Sequence, residues 1–119
     1  QFGAPTGADL LADVTAHTIA HVLQRPNDAG LYHLAASGET TWFEYAKHVL
    51  NQSIRAQAAP KIIVKTINPV AASAFPTAAQ RPHNSRLNSA KLEQAFGLRL
   101  PPWQQGVERM LAEISEHKP

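Results

Sequence analysis

Cysteine is absent from the chain, which excludes a disulfide framework and thiolate metal sites and fits a reducing compartment. No run of about 18 apolar residues occurs, so no membrane-spanning helix is expected. A basic stretch leading into an apolar one, as a secretory leader needs, is also lacking. Charge of one sign is never concentrated: 11 Lys and Arg are scattered against 9 Asp and Glu, for a net charge of +2. That is too diffuse for a nucleic-acid footprint. Glycine numbers only six, and none falls in a Gly-x-Gly-x-x-Gly, a Walker loop or a Gly-x-Ser-x-Gly elbow. The sequence therefore shows neither a dinucleotide fingerprint nor a serine-hydrolase nucleophile. Neither tyrosine has a Lys four residues on; Tyr45 is followed by Lys47 at two. The carboxylates fall mostly on expected solvent faces. By its chemistry alone the chain reads as a binding module and not an enzyme. An initiator methionine is missing as well. The opening Gln1-Phe2-Gly3 suggests a piece cut from a larger protein, as removal of a leader or tag also would.

What is present suffices for one modest domain. The 119 residues are 44% hydrophobic and 17% charged, and a chain of this size buries roughly 60–70% of its unfolded surface. Four helices are expected. The first runs from Ala8 to Arg25, capped by Thr6, with Asp9 in its first turn, where the helix dipole favours a carboxylate. Its apolar stripe is Leu11, Val14, Thr18 and Val22, widened by Ile19 and Leu23. The second runs from Trp42 to about Ala56, with Thr41 and Glu44 spaced as a capping box. Its stripe is Phe43 or Trp42 with Ala46, Val49, Leu50 and Ile54. The third spans Ser89 to Phe96, capped by Asn88 and closed by Gly97. The fourth starts near Pro101-Pro102, and Trp103, Val107, Leu111 and Ile114 form its stripe.

Gly30 to Ala36 is a short apolar run that reads as a buried strand of a parallel sheet, and Lys61 to Ile67 reads as a second strand. Between Asn68 and Asn88 lies a proline-punctuated stretch with Phe75 as its expected anchor. A loop this long in a small domain is usually functional or disordered; the prolines favour an ordered wrap over a surface. The expected fold class is thus α/β: about four helices with a small, mainly parallel sheet of two or three strands. So small a sheet calls for completion by further chain or by another copy.

Three clusters could carry chemistry. His17 and His21 have the i, i+4 spacing of a zinc pair, but without a third ligand they read better as helix-surface histidines. Arg81-Pro82-His83-Asn84-Ser85-Arg86 presents two guanidiniums, an amide, a hydroxyl and an imidazole on a chain stiffened by proline. Guanidinium forks match phosphate oxygens in pairs, although a solvated loop entering a helix has the same composition. Gln1 to Thr6 leads into a helix N-terminus, which favours an anion; a plain loop-to-helix junction is the alternative. Trp42 and Trp103, each at a helix start, read as core anchors and not as stacking platforms for a base.

Taken in order, several blocks carry a resemblance. They are Gln1-Phe2-Gly3-Ala4-Pro5-Thr6-Gly7-Ala8-Asp9-Leu10-Leu11-Ala12-Asp13, Gly30-Leu31-Tyr32-His33-Leu34, Gly38-Glu39-Thr40-Thr41-Trp42 with Tyr45-Ala46, Phe75-Pro76-Thr77, Arg81 to Asn88, and Leu100-Pro101-Pro102-Trp103-Gln104-Gln105-Gly106-Val107. Together they resemble the C-terminal, substrate-binding portion of the dTDP-4-dehydrorhamnose reductases, which are extended short-chain dehydrogenase/reductases. The resemblance implies a single substrate-binding domain over 1–119, with the NAD(P)-binding Rossmann domain and the Tyr-x-x-x-Lys pair elsewhere. The implied parent is an oxidoreductase that reduces dTDP-4-dehydro-L-rhamnose to dTDP-L-rhamnose with NADPH or NADH. Such an enzyme is cytoplasmic and serves nucleotide-sugar and cell-surface polysaccharide synthesis, including lipopolysaccharide and O-antigen. Its partners would be the dTDP-sugar, its own N-terminal domain and a second copy in a homodimer, with no nucleic acid and no membrane. Carried onto this chain, the resemblance implies substrate contacts from Gln1, Phe2, Thr6, Arg81, Asn84, Ser85 and Arg86. It places no catalytic or cofactor-binding residue here. Asp9 and Glu113 are the candidates for a divalent cation such as Mg at a dimer contact. Asn88 stands where the family usually has Asp; either caps a helix. Two alternatives stay open: a non-catalytic relative such as the regulatory subunit of methionine adenosyltransferase, and a free-standing binding module with a basic loop.

Overall fold

The computed structural model describes residues 1–55 and 62–116. In chain order the elements are β1 (Phe2–Gly3), α1 (Ala8–Gln24), a 3-10 turn at Pro26–Asp28, β2 (Thr40–Thr41), α2 (Trp42–Arg55), a second 3-10 turn at Ala72–Ala74, α3 (Ala90–Phe96) and α4 (Trp103–Glu116). All four expected helices are present, with ends within one or two residues of the sequence reading. No described helix is long and apolar enough to cross a membrane.

The capping chemistry is only partly as expected. Gly7 takes the N-cap of α1 without a side-chain bond. Thr6 does not cap it; its hydroxyl donates to the Ala4 carbonyl at 3.0 Å and accepts the Ala36 N–H at 3.0 Å. Asp9 supplies the first-turn acceptor instead, taking the Leu10 N–H at 2.9 Å. Thr41 caps α2 through the Glu44 N–H at 3.2 Å. At α3 the Asn88 amide oxygen accepts the Ala90 N–H at 2.9 Å, and Gly97 closes the helix in the left-handed conformation, φ 62°.

The sheet departs from expectation. It has two strands, and they are antiparallel, with Phe2 opposite Thr41 and Gly3 opposite Thr40. Among the described residues, parallel pairing is limited to isolated bridges, Phe2 with Asn84 and Ser37 with Pro102. Residues 31–36 form no strand. They keep the alternation of an extended segment, Tyr32, Leu34 and Ala36 turning inward while Leu31 is 76% exposed. No neighbouring strand among the described residues takes up their backbone groups. Side chains do so instead: the Ala35 N–H bonds the Ser89 hydroxyl, the Ala36 N–H bonds Thr6, and the Leu31 carbonyl accepts from Lys91. The second expected strand is also not one. Ile62 to Ile67 has no ladder partner among the described residues, and Ile63 and Val64 are exposed; Lys61 lies outside them. β-branched residues favour extended backbone but need a pleated neighbour to become a strand. Beyond them, Phe75 is 70% exposed, so it does not anchor the loop as expected.

Two small clusters make the core. Val14, Leu92, Phe96 and Leu100 form one, flanked by Leu10, Val22, Tyr32 and Leu34. Ala36, Trp103 and Val107 form the other, flanked by Leu10, Tyr45, Val49 and Leu111. Leu10 therefore links the two. The inward stripe of α1 is Leu10, Val14 and Val22, while Leu11, Ile19 and Leu23 face outward. This helix is apolar on two adjoining faces, and periodicity alone does not say which is covered. On α2 the inward residues are Tyr45 and Val49; Trp42 and Ile54, both expected inside, are exposed. The radius of gyration is 17.5 Å, against about 13–14 Å for a compact chain of this length.

Gly38 fixes how α4 enters. Its φ is +87°, and a Cβ there would lie 3.3 Å from Cδ1 of the buried Trp103 ring. Left-handed backbone costs an L-residue roughly 1–2 kcal/mol, and the crowding adds to it. Gly38→Ala should therefore lower stability by about 2 kcal/mol, read as an earlier urea midpoint with unchanged slope.

Candidate functional site

Three remote segments meet at β1. On one side β1 pairs with β2. On the other, the Phe2 N–H donates to the His83 carbonyl and the Ser85 N–H donates to the Phe2 carbonyl, both at 2.7 Å. The basic loop is thus stitched to the N-terminal segment by backbone bonds and does not hang free. Above this floor stands the first turn of α2. The Trp42 indole N–H donates to the Gln1 amide oxygen at 3.3 Å, and the Gln1 amide nitrogen donates to the Ser85 hydroxyl at 3.4 Å. The result is a cleft of about 420 Å³ whose lining includes Gln1, Phe2, Pro5, Thr6, Thr41, Trp42, Tyr45 and Ser85.

Of the residues singled out in the sequence, Gln1, Phe2, Thr6 and Ser85 come together in this cleft. Asn84 sits in the bridge beneath it, with its amide oxygen turned to Arg86: it accepts the Arg86 backbone N–H at 3.0 Å and Nε at 2.9 Å. Arg86 is committed in three directions. It also pairs with Glu39, and its guanidinium lies 5.6 Å from the centre of the Phe2 ring. It therefore braces the cleft floor, drawing the 37–41 turn, β1 and the basic loop together. Arg81 lies outside the lining. It is exposed, two residues before the stitched His83, and has no ion pair among the described residues.

Asp9 and Glu113 do come together, through Arg109. Its Nη1 is 2.9 Å from Asp9 and its Nε 3.2 Å from Glu113. A guanidinium already pairs with both carboxylates and offsets one of their two charges, and a hard divalent cation wants about six oxygens. No group of three or more potential metal ligands exists among the described residues. This pair does not fit a cation by itself. The two helix histidines have structural partners instead. His17 Nε2 lies 3.3 Å from the Phe96 carbonyl, and His21 Nε2 lies 2.7 Å from Asp28, with its ring edge-on to Phe96.

Sequence reasoning missed the α2 wall of the cleft. Trp103 is a core residue, 5% exposed, but Trp42 is 67% exposed and lines the cleft beside Tyr45. The two tryptophans look alike in sequence, each opening an amphipathic helix. The only distinguishing signal was Tyr45 and Val49, three and seven residues after Trp42, which already supplied an inward stripe without it.

The class of protein that such a small α/β domain suits, with an aromatic cleft beside an exposed basic loop, is a ligand-binding domain. The chain belongs to the family described as the RmlD substrate binding domain, whose model matches residues 1–116. It is 54% identical over 114 residues to the dTDP-4-dehydrorhamnose reductase of Escherichia coli K12, covering 96% of this chain and 38% of that one. It is 51% identical over 114 residues to the Salmonella typhimurium enzyme of the same name, again covering 96% of this chain and 38% of that one. A crystal structure of dTDP-4-dehydrorhamnose reductase from Bacillus anthracis in complex with NADP superposes with a TM-score of 0.72 at 29% identity, covering 95% of this chain and 36% of that one. The chain thus spans a little over a third of the length of these relatives.

Proposed function

We propose that this chain is the substrate-binding part of an NADP-dependent dTDP-4-dehydrorhamnose reductase. The parent enzyme would reduce dTDP-4-dehydro-L-rhamnose to dTDP-L-rhamnose. The observation that carries the reading is 54% identity across nearly the whole chain to a reductase of that name. The same name on the relatives at 51–54% identity favours the reductase over a regulatory subunit or a free-standing module. The 119 residues hold no glycine-rich phosphate loop, so the nicotinamide cofactor is assigned to the chain beyond them, with the N-terminal domain as first partner. Cytoplasmic location, homodimerisation and a role in lipopolysaccharide and O-antigen synthesis belong to this reading. A divalent cation such as Mg would need ligands from outside this chain to compete with Arg109.

Within the cleft, Gln1, Phe2, Thr6 and Ser85 would touch the substrate. Asn84 and Arg86 would hold them in place, and Arg81 would meet the diphosphate from the rim. The test is direct: the full-length protein should consume NADPH only when dTDP-4-dehydrorhamnose is supplied, and absence of turnover would reject the reading. Arg81→Ala in that protein should weaken dTDP-sugar binding by about 1.5–3 kcal/mol, as for a hydrogen bond to a charged group. Arg81→Lys should restore only part, because an ammonium cannot supply a two-pronged contact. NADPH affinity should hardly change. Isotherms for both ligands check this; equal loss of both would indicate misfolding.

A further inference from the structure

Arg86 is held twice at the edge of the cleft, and the two holds differ in kind. The Asn84 amide oxygen accepts its backbone N–H at 3.0 Å and its Nε at 2.9 Å. That hold is local and carries no charge of its own. The second is the ion pair with Glu39, which comes from the turn before β2, 47 residues earlier. The two side chains of that pair are 48% and 53% exposed. An ion pair so open to water is worth little and is readily exchanged for another.

The guanidinium also has donors to spare. It carries five N–H groups. Asn84 takes the one on Nε and Glu39 takes one on Nη1, and the other three have no partner among the described residues. Such a planar fork matches the oxygens of a phosphate. Arg86 stands against the cleft wall as well. It follows Ser85 in the chain, its guanidinium lies 5.6 Å from the centre of the Phe2 ring, and Ser85 and Phe2 both line the cleft.

None of the lining residues is charged. A ligand that carries a diphosphate therefore finds its counter-charge at the edge, and there Glu39 competes with it for Arg86. Two anions on one guanidinium repel each other. A phosphate that docks on Arg86 drives the Glu39 carboxylate into water, where it is already half immersed.

We propose that Glu39 is a built-in competitor for the diphosphate of the ligand: it holds Arg86 until the ligand arrives, then yields it. Asn84 keeps the guanidinium aimed throughout, so the cleft floor stays braced while Nη1 changes partner. The proposal rests on the reading of this chain as a dTDP-sugar-binding domain. It adds a residue that lowers the affinity below what Arg86 alone would give and so eases release of the product. Glu39 acts through Arg86 and is a positioning residue. If the pair were a brace and nothing more, loss of Glu39 would loosen the floor and weaken binding. The exchange predicts the opposite sign.

The experiment is calorimetric titration of the full-length protein and its Glu39→Gln, Glu39→Ala, Arg86→Met and Glu39→Gln/Arg86→Met variants. Two probes are used: dTDP, and thymidine, which lacks the phosphates. Glu39→Gln and Glu39→Ala should bind dTDP about two- to fivefold more tightly, the share that an exposed ion pair holds back. Thymidine affinity should not change. Arg86→Met should weaken dTDP binding, and adding Glu39→Gln to it should recover nothing, as a double-mutant cycle requires of two groups that act as one. Weaker dTDP binding in the Glu39 variants overturns the proposal and leaves the pair a brace. Unchanged dTDP affinity in both overturns it too. A gain that persists in the Arg86→Met background shows that Glu39 repels the ligand directly, and the exchange is overturned. If the wild-type protein does not bind dTDP, the functional reading itself falls, and this inference with it.

Discussion

The 119-residue chain alone is expected to give no turnover of dTDP-4-dehydrorhamnose with NADPH, however well it binds the sugar nucleotide. Reduction of a ketone needs a hydride donor held against the carbonyl carbon and an acid at the carbonyl oxygen. Positioned general acids contribute about 10²–10⁴ in rate, and orientation of the two reactants contributes more. Tyr45 is the tyrosine in the cleft, but it has no lysine at the required spacing. Lys47, two residues on, turns away, with its Nζ 3.8 Å from Glu44 and 5.2 Å from the centre of the Phe43 ring. No glycine-rich loop is present to seat a nicotinamide nucleotide. Loss of NADPH absorbance in the presence of the pure chain and substrate, above a buffer blank, would contradict this. Such turnover would place an acid and a cofactor site within these residues.

Trp103→Ala should be the most damaging single change to the fold. Trp103 is the largest residue of the second core cluster, 5% exposed. It stacks on Tyr45 at 6.1 Å and 15° and meets the His48 ring edge-on at 5.2 Å. It thereby joins α2 to α4 under the cleft wall. Truncating such a residue costs about 3–5 kcal/mol. Whole domains are stable by only about 5–15 kcal/mol, and this core, with seven buried hydrophobic residues among the described residues, belongs at the low end. Urea unfolding should show a midpoint far below wild type, or no folded baseline. Trp103→Phe keeps a ring against Tyr45 and should lose less than half as much. A midpoint for Trp103→Ala near that of wild type would mean that α2 and α4 are held together by something else.

The helices were legible because each carries its own punctuation. Gly97 and Asn88 bracket α3, Pro26 stops α1, and Pro101-Pro102 precede α4. Those signals act within a few residues and need no tertiary partner. Strands have no such autonomy. Gly30 to Ala36 has the composition of a buried strand, but its partners here are the Thr6 and Ser89 hydroxyls, 30 and 54 residues away. Nothing local announces that exchange. The site divides the same way. Gln1, Phe2, Thr6 and Ser85 could be named from resemblance and composition, and they meet. Arg86 could be named as a cation, but whether it faces a ligand or Glu39 depends on a turn 47 residues earlier. The exposure of Trp42 was hidden for a related reason: an amphipathic stripe tells which residues can go inside, and Tyr45 and Val49 had already filled the place.

The way the cleft is stitched has a kinetic side. The Gln1–Trp42 bond spans 41 residues and the Gln1–Ser85 bond 84. Closing loops of that length is entropically costly and slow compared with winding a helix. α1 and α2 can form while the chain is still growing, but the cleft floor has to wait for residues 83–85. During synthesis the cleft is therefore completed only once residues 83–85 have been added, and any ligand that needs the complete cleft stabilises only chains that have passed that point.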